Sequence, residues 1–454
     1  MPISQPAPTS FADKSFWLSS APYTPNLPLA GDLTVDVAVL GGGYTGLATA
    51  YFLKKAEPSL RVALLESEVI GFGASGRNGG FSMTLFGLTL SVTASLFGKE
   101  KARQAHHYME QAVELVESLV REHKLECDYE RPGFLRVATA PLYVKRIHEE
   151  VELAQRLGLE GIEWIDAEAT RREVNSPLYL GAWREPRCGL VNPAKLAWEL
   201  KRLILSMGVQ VFEHTPGTAI ERRAGGLLIH TPQGKVTAGK LALATNAYSH
   251  LIPMLRRKQV PAFTHIVLTE PLRPEHLAEM GWRTRQGIED ARNLVHYYRL
   301  TRDNRLLMGG RDVSLAVGGD MDRDENPDTF AKLEADVRQL FPVVRDIRFT
   351  HRWGGPVSVP LQMIPALGLL GDERVAYSLG CMGHGVSLTH LNGWTLADLL
   401  LDKKSERTQA FFVNRRVIPW PPEPLRLVAS LGILGYMHAE DAVYDRGMHV
   451  PDGA

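Results

Sequence analysis

Three features are scarce in this sequence of 454 residues, and each scarcity excludes a class of protein. The three cysteines, Cys127, Cys188 and Cys381, form no C-x-x-C pair, so we expect a reducing compartment and no disulfide framework. The 51 basic residues are balanced by 51 acidic ones, so no net charge favours nucleic acid or an anionic membrane as a partner. The apolar stretch 427–437 is far shorter than the roughly 20 residues that cross a bilayer. The sequence therefore predicts a soluble cytoplasmic protein with no transmembrane segment, no nucleic-acid partner and no metal site.

The first 30 residues are rich in proline, which removes backbone donors and prevents regular structure. We expect residues 1–30 to form an arm that lies over the fold. A different pattern follows: an apolar β-branched run at 35–40, a glycine turn at 41–46, a helical run at 47–53 and an apolar run at 62–65 that ends at Glu66. This order predicts one βαβ unit of about thirty residues.

The glycine turn has the spacing G-x-G-x-x-G at Gly41, Gly43 and Gly46. Glycines at these positions let the backbone approach a pyrophosphate, which free N–H groups and the positive end of the following helix then bind. Glu66 stands twenty residues after Gly46, where a carboxylate accepts hydrogen bonds from an adenosine ribose. Because the motif follows a predicted strand and opens a predicted helix, it indicates a dinucleotide site.

Two further glycine-rich segments favour FAD over NAD as that dinucleotide. Residues 71–80 form a second run of small residues, and the segment 383–385 (GHG) lies between a predicted strand at 375–379 and a predicted helix at 388–400. A flavin dinucleotide is long, so segments distant in sequence must converge on it, whereas NAD needs no such second loop. The sequence also lacks a second dinucleotide unit after residue 46, which suggests that the organic substrate itself supplies the electrons.

Several motifs in a fixed order carry a family resemblance. They are the segments 73–80 (GASGRNGG), 189–195 (GLVNPAK), 244–248 (ATNAY), 352–355 (RWGG) and 383–386 (GHGV). With them the chain resembles the FAD-dependent amine and amino-acid oxidoreductases that include D-amino acid oxidase, glycine oxidase and sarcosine oxidase. Within that group it is most similar to the γ-glutamylputrescine oxidase-like branch.

The resemblance implies an α/β fold in which a Rossmann-like FAD-binding domain carries a second, mixed-sheet α+β domain. The FAD-binding domain would be discontinuous and made of residues 31–95, 185–250 and 350–405. Residues 96–184 and 251–349 would form the substrate-binding domain, and residues 406–454 a C-terminal extension.

The resemblance also implies which residues bind FAD, and it implies non-covalent binding because the matching region 357–361 contains no cysteine. Loop side chains would lie along the pyrophosphate and the ring, the backbone of a strand ending near Gly217 would touch the adenine, and the segment 383–386 would offer N–H groups to the pyrimidine end. The expected cofactor-binding residues are Gly41, Gly43, Tyr44, Thr45, Gly46, Glu66, Ser75, Arg77, Asn78, Gly79, Gly217, Ala244, Thr245, Gly383, His384, Gly385 and Val386.

Four residues are candidates for the substrate pocket. His296 and Tyr298 lie on a predicted strand at 294–300, where alternate side chains point to opposite sides, and we expect these two at the site. Trp353 would wall the flavin ring, and His384 would touch the substrate. The alternative for each is packing: aromatic side chains on a sheet face, a tryptophan in the core, and a histidine that lies in a tight backbone turn.

The implied reaction is oxidation of the C–N bond of an amine to an imine, by hydride transfer to flavin N5 and then hydrolysis. An apolar pocket would assist because it disfavours the ammonium form. The substrate would be a small primary or secondary amine or an amino-acid-like molecule, with γ-glutamylated polyamines among the candidates. The electron acceptor would be oxygen, a quinone or a carrier protein.

Three alternatives stay open. A D-amino-acid dehydrogenase or oxidase of the same fold needs an arginine to clamp the α-carboxylate. Where glycine oxidases place that arginine this sequence reads 355–358 (GPVS), so Arg299 or Arg311 would have to serve. The other two alternatives are an NAD-dependent dehydrogenase and a flavin-binding protein without catalysis.

Overall fold

A computed structural model describes residues 10–316, 319–446 and 448. The predicted arm is thus described from residue 10 onward, and residues 1–9 lie outside the described part. The same holds for residues 447 and 449–454 of the predicted C-terminal extension.

The strands follow one another in chain order as β1 (Leu33–Leu40), β2 (Val62–Leu65), β3 (Phe81–Ser82), β4 (Phe134–Val137), β5 (Glu163–Asp166), β6 (Gly181–Glu185), β7 (Gly189–Leu190), β8 (Gln210–Phe212), β9 (Ala219–Arg223), β10 (Gly226–Thr231), β11 (Gly234–Leu243), β12 (Val260–Pro271), β13 (Gly287–Asp290), β14 (His296–Leu300), β15 (Arg305–Leu315), β16 (Phe349–Val359), β17 (Ala366–Leu369) and β18 (Val375–Leu379). The α-helices are α1 (Tyr44–Ala56), α2 (Leu90–Phe97), α3 (Lys99–His123), α4 (Pro141–Arg156), α5 (Ala167–Glu173), α6 (Pro193–Ser206), α7 (Pro274–Met280), α8 (Pro327–Leu340), α9 (Gly385–Leu400) and α10 (Leu425–Tyr444).

The first sheet has the strand order β17-β18-β11-β1-β2-β8, and β9 and β10 extend it from β11. The run β18-β11-β1-β2-β8 is parallel throughout, which requires crossover connections such as α1 between β1 and β2. Helix α1 is buried from Tyr44 to Lys54 because it packs between this sheet and the helices α6 and α9. The predicted βαβ unit is therefore confirmed, and it forms the centre of the sheet.

The second sheet has the order β16-β12-β15-β14-β13-β4-β6-β5. It is mixed: β4 and β13 are parallel neighbours, and the other pairs are antiparallel. Helix α8 covers one face, where Phe330, Leu333 and Val337 join the apolar core. The two sheets and their helices confirm the predicted α/β class with a second, mixed-sheet unit.

One part of the expected domain division is wrong. Residues 350–359 were expected in the FAD-binding domain, but they form most of β16, which pairs with β12 at the edge of the second sheet. The reason is that antiparallel pairing continues from Val260 opposite Val359 to Leu268 opposite His351 and, after a register shift, to Thr269 opposite Phe349. The crossing from the second sheet to the first lies beyond residue 359.

The described part of the N-terminal arm packs on the fold, as expected. The Ser15 hydroxyl donates to the Gly76 carbonyl at 2.7 Å, and the Trp17 indole N–H donates to the Asn78 carbonyl at 2.9 Å. Both acceptors belong to the small-residue loop after β2, so the arm buttresses that loop from outside.

Glu213 holds a second part of the arm from inside the first sheet. Its side chain is fully buried and forms an ion pair of 2.5 Å with Lys201 of α6. The same carboxylate accepts from the Tyr23 hydroxyl at 2.5 Å, the Asn26 amide at 2.6 Å and the Ile70 amide at 2.7 Å. A buried carboxylate is stable only with such a full set of donors.

Within the described residues, every helix falls short of the combined length and hydrophobicity that crossing a membrane requires.

Replacing Glu213 by alanine is expected to lower the free energy of unfolding by about 3–5 kcal/mol, because it leaves the Lys201 ammonium buried without a counter-charge, with only the Tyr23 hydroxyl and the Thr24 carbonyl as acceptors. Urea unfolding followed by circular dichroism measures the change. Glu221→Ala, which removes a carboxylate on the exposed strand β9, is the matched control and should leave the unfolding midpoint where it is. Equal midpoints for the two variants would contradict the role of Glu213.

Candidate functional site

A single cavity of about 780 Å³ lies where loops of the first sheet meet one face of the second. This volume is typical of cofactor and small-molecule sites. Loops after β1, β2 and β11 line one part of it, the second sheet lines another, and α10 lines a third. Among the described residues no cluster of histidine, cysteine and carboxylate side chains could hold a metal ion.

The glycine turn after β1 opens this cavity because no side chain stands in the way. Gly41 has φ +111°, and a Cβ there would lie 2.6 Å from the Ala244 carbonyl oxygen. A Cβ on Gly46 would lie 1.9 Å from the Gly41 carbonyl oxygen. Gly43 caps α1 without a side-chain hydrogen bond, the Tyr44 amide donates to the Ser75 hydroxyl at 3.0 Å, and Tyr44 and Thr45 of the first turn line the cavity. This helix N-terminus suits an anion such as a pyrophosphate.

Glu66 lies at the end of β2 and turns toward the glycine turn. Its carboxylate accepts from the Gly42 amide at 2.6 Å, the Glu68 amide at 3.0 Å and the Ser67 hydroxyl at 3.1 Å. Burial raises the pKa of Glu66, and these donors oppose that rise. The carboxylate is positioned as the ribose-binding acid of a dinucleotide site.

The expected cofactor-binding residues converge on the cavity although they come from distant parts of the sequence. Gly46 is the exception, since it packs beneath the turn. The residues that line the cavity are Gly41, Gly43, Tyr44, Thr45, Glu66, Ser75, Arg77, Asn78, Gly79, Gly217, Ala244, Thr245, Gly383, His384, Gly385 and Val386. One detail of the expectation is wrong: β8 ends at Phe212, so Gly217 lies in the loop before β9 and not at a strand end.

Arg77 differs from its expected role in one respect. Its guanidinium is buried in an ion pair of 2.7 Å with Asp324, and its Nε donates to the Phe72 carbonyl at 2.8 Å. Asp324 also binds Lys14 of the arm at 2.6 Å. Arg77 therefore ties its loop to the arm and to the second sheet, and the rest of its side chain lines the cavity.

The segment before α9 offers a second open helix N-terminus to the same cavity. His384 is the N-cap residue and makes no capping hydrogen bond through its side chain. Gly383 has φ +89°, and no atom lies within 4 Å of the place where its Cβ would be. The free N–H groups at this end favour negative charge, which a reduced flavin carries near N1 and the C2 oxygen.

Cys381 also lines the cavity, but its thiol is already engaged. Its sulfur accepts a hydrogen bond from the Asn246 amide at 3.2 Å. Burial raises the pKa of Cys381, so the thiol stays protonated and unreactive. The glycine cradle, the ribose acid and the two helix N-termini fit FAD held without a covalent bond.

The sequence predicts His296 and Tyr298 at the site, and the structure shows that neither side chain lines the cavity. Alternation along β14 holds, but Tyr297 faces the cavity. The other two face the α8 side, where His296 bonds to Asp290 at 2.9 Å and Asp336 at 3.0 Å, and the Tyr298 hydroxyl bonds to Tyr179 at 2.8 Å. The sequence shows the alternation but not which face α8 covers.

Trp353 is a core residue and does not wall the cavity. It packs among Trp17, Leu18, Ile266 and Leu307. Its indole N–H donates to the Arg77 carbonyl at 2.8 Å.

Four residues in a row across the second sheet line the cavity, and none of them was among the residues expected there from the sequence. Register places Trp183 of β6 opposite Arg136 of β4, Arg136 opposite Glu289 of β13, and Glu289 opposite Tyr297 of β14. Strand β13 reads GIED, with two adjacent carboxylates, so its own sequence does not single out Glu289. Its neighbour Arg136 could not be found without the pairing of β4 with β13.

Helix α10, which was expected only as part of an extension, covers the substrate side of the cavity. Ser430, Ile433, Leu434 and Met437 line it. The helix is fixed by Asp441, which accepts from the backbone amides of residues 293 and 294 at 2.8 and 3.0 Å.

The two arginines considered for a carboxylate clamp are both committed elsewhere. Arg299 is buried and donates to the Val191 carbonyl at 2.8 Å, and it does not line the cavity. Arg311 lines the cavity but forms an ion pair of 2.5 Å with Asp336.

His296 is expected to stabilise the fold as a cation. Burial alone would lower its pKa, but Asp290 and Asp336 outweigh burial and raise the pKa to about 9. The stabilisation is present in full below the unfolded pKa of about 6.5 and is lost as pH rises through about 9. The difference in unfolding free energy between wild type and His296→Gln should therefore shrink over that range in urea titrations. A difference that does not vary with pH would contradict a cationic His296.

Gly46→Ala is expected to abolish cofactor binding, because the new Cβ would displace the Gly41 carbonyl and with it the pyrophosphate turn. Visible absorbance of the purified variant measures bound flavin. Gly225→Ala, whose Cβ meets open space, is the control and should keep the wild-type content. A yellow Gly46→Ala protein would show that the turn is not the binding site.

Comparisons with known proteins agree with this geometry. The family described as "DAO: FAD dependent oxidoreductase" matches residues 36–399. The gamma-glutamylputrescine oxidoreductase of Escherichia coli (strain K12) is 35% identical over 411 residues, which cover 90% of this chain and 93% of that protein. The sarcosine oxidase subunit beta of Rhodobacter capsulatus is 24% identical and covers 84% of this chain and 88% of its own. The crystal structure of glycine oxidase from Geobacillus kaustophilus has the same fold, with a TM-score of 0.73 and 21% identity over 85% of this chain and all of that one.

These matches confirm the predicted cofactor and the predicted class of enzyme, an oxidoreductase that uses FAD. They also exclude the NAD-dependent alternative. The chain belongs to the DAO family of FAD-dependent oxidoreductases.

Proposed function

We propose that this protein oxidises the terminal primary amine of a γ-glutamylated diamine to the imine, which then hydrolyses. The observation that carries the proposal is the continuity of the cavity, which runs without interruption from the dinucleotide loops to a buried carboxylate, Glu289, on the second sheet. Bound FAD supplies the acceptor for the hydride that leaves the carbon next to the nitrogen. The similarity to gamma-glutamylputrescine oxidoreductase supports this substrate class.

The walls of the cavity suit the proposed chemistry. Phe81, Met83, Trp183 and Tyr297 surround the position next to Glu289 with apolar and aromatic surface. Such surroundings disfavour a charged ammonium and favour the neutral amine, which is the form that gives up a hydride. Ile433, Leu434 and Met437 of helix α10 add apolar surface to the same cavity.

The distribution of charge suits an amine with a carboxylate at its far end. Glu289 has 4% of its side chain exposed, whereas Arg146, which lines the cavity nearer to solvent, has 25% of its side chain exposed. An extended molecule with a nitrogen at one end and a glutamyl carboxylate at the other would match this order of charges.

One observation favours a second candidate, an amino acid with a free α-carboxylate. The Arg136 guanidinium lies 3.9 Å from the Glu289 carboxylate, and both groups line the cavity. A zwitterion could bind across the two, with its carboxylate on Arg136 and its ammonium on Glu289.

We further propose that the reduced enzyme passes its electrons to oxygen, a quinone or a carrier protein in the cytoplasm. By the resemblance to sarcosine oxidases, Leu307 or Met308 stands where those enzymes have a lysine that speeds the reaction with oxygen, and both residues are buried and apolar. This supports slow reaction with oxygen and favours a quinone or carrier protein. The three free, buried cysteines suit a reducing compartment.

Anaerobic mixing of the FAD-loaded enzyme with γ-glutamylputrescine is expected to bleach the flavin absorbance near ~450 nm, because the substrate itself is the reductant. Putrescine and glutamate, offered separately, should bleach it much more slowly. Rapid bleaching by amino acids alone would favour the second candidate. A flavin that none of these compounds reduces would refute both.

A further inference from the structure

Glu289 is a buried carboxylate whose surroundings leave it incompletely paired. It lies at the centre of β13 in the second sheet, lines the cavity, and has 4% of its side chain exposed. Among the residues that the structure describes, none hydrogen-bonds its Oε2. The two cationic or potentially cationic neighbours stand too far away for a hydrogen bond: Arg136 Nη2 at 3.9 Å and His384 Nε2 at 3.8 Å.

Asp290, the next residue along β13, is a buried carboxylate with a full set of hydrogen-bond partners. Asp290 is equally buried, but it accepts from the His296 amide at 3.0 Å and bonds to the His296 ring at 2.9 Å. It also forms an ion pair with Arg292. Burial alone would raise the pKa of Asp290, but Arg292 and His296 outweigh burial and hold it below its usual range. Asp290 lines the cavity as well, so the unpaired oxygen of Glu289 follows from the partners it lacks and not from its position at the cavity.

His384, which lies across the cavity from β13, also has a buried polar atom without a hydrogen-bond partner among the described residues. This atom is its Nδ1, and its ring lies on the cavity beside Glu289. Buried polar groups are almost always paired in folded proteins. Glu289 Oε2 and His384 Nδ1 each lack a partner among the described residues, and the two side chains approach to 3.8 Å through their other atoms, Oε1 and Nε2. They therefore mark a place where a ligand with N–H donors can complete the hydrogen bonds of the carboxylate.

We infer that Glu289 binds the ammonium nitrogen of the substrate and accepts one of its protons. The inference rests on the proposed amine oxidation and names the residue that makes it possible. One N–H bond of the ammonium breaks and an O–H bond forms on Glu289, so the nitrogen keeps the electron pair of that bond. The amine is then neutral, and the C–H electron pair can leave for the oxidant that the proposed function supplies.

The charges around Glu289 tune this exchange. Burial and, to a lesser extent, the negative charge of Asp290 raise its pKa to about 7 against the opposing charge of Arg136. Burial lowers the pKa of His384 to about 4, with Arg136 adding to the effect, so this ring is neutral at pH 7 and leaves the carboxylate free to attract a cation.

The remaining groups packed against Glu289 are neutral. Tyr297, its neighbour on β14, has a pKa raised by burial. Burial likewise raises the pKa of Cys188, which lies between β6 and β7. Neither changes its charge near pH 7, whereas Glu289 becomes ionised there, so affinity for an ammonium should rise as pH increases through about 7.

Glu289→Gln tests the inference, because it keeps the shape of the side chain and removes the charge. Binding is measured by calorimetry on dithionite-reduced, FAD-loaded enzyme, where no oxidation can follow. The probes are γ-glutamylputrescine and the analogue in which a hydroxyl replaces the terminal amine. Wild type should prefer the amine at pH 8 by about ten- to a hundred-fold, as expected for a hydrogen bond to a charged group, and the preference should decline toward pH 6.

In Glu289→Gln the amine should lose at least about tenfold in affinity, the alcohol should bind as before, and the dependence on pH should disappear. Glu185→Gln is the matched control. Burial raises the pKa of Glu185 to about 7 as well, but its oxygens accept from Thr84 at 2.8 and 2.9 Å and it lies outside the cavity. This variant should bind both probes as wild type does.

Glu289→Asp, which keeps the charge, should retain the preference for the amine and the dependence on pH, and it provides the test if the glutamine variant fails to hold FAD. A glutamine variant that holds FAD and still discriminates amine from alcohol as wild type does would overturn the inference, and so would an aspartate variant without discrimination. Failure of the proposed function looks different, since wild type itself would then stay oxidised when mixed with γ-glutamylputrescine.

Discussion

The close approach of backbone segments at the glycine turn is the constraint on which the rest of the structure depends. Gly46 has no room for a side chain beside the Gly41 carbonyl, and Gly41 has none beside the Ala244 carbonyl. Helix α1 can therefore start directly above the ends of β1 and β11. Gly393 of α9 packs in the same way, since a Cβ there would lie 2.7 Å from the Thr45 carbonyl oxygen and 2.6 Å from the Ala48 Cβ. Contact between α1 and α9 in turn brings His384 to the same cavity as the turn itself.

Successive side chains of a strand point to opposite faces of the second sheet, and its buried charged residues accordingly fall into two groups. On the α8 side, His296, Asp290 and Asp336 neutralise one another at hydrogen-bonding distance, so their burial costs little. On the cavity side, Arg136 and Glu289 stand apart at 3.9 Å. The first group holds the sheet to its helix, and the second is the pair to which we assign substrate binding. Titratable side chains of both kinds are buried, so burial alone does not distinguish them.

Local patterns predicted the parts of the molecule that depend on local sequence. The βαβ unit, the glycine turn and Glu66 follow from spacing, and Asn192 caps α6 as its position before Pro193 indicates, accepting from the Lys195 amide at 3.1 Å. Three kinds of information could not be obtained this way. The face of β14 that meets the cavity depends on where α8 packs. The pairing of Arg136 with Glu289 depends on two parallel strands that are distant in sequence. The position of α10 depends on hydrogen bonds between Asp441 and the backbone amides of residues 293 and 294. The sequence of α10 itself does not predict these bonds.

The path of the chain has a consequence for how this molecule can be divided. Strands of the first sheet come from residues 33–65, 210–243 and 366–379, and strands of the second come from 134–185 and 260–359, so the polypeptide passes between the two sheets four times. Neither sheet can be assembled from one contiguous fragment. A contiguous gene fragment would encode only some of the strands of either sheet. Each sheet therefore folds only when the segments that form the other sheet are also present. Engineering by exchange of parts between related proteins would therefore have to exchange loops and single side chains instead of whole domains.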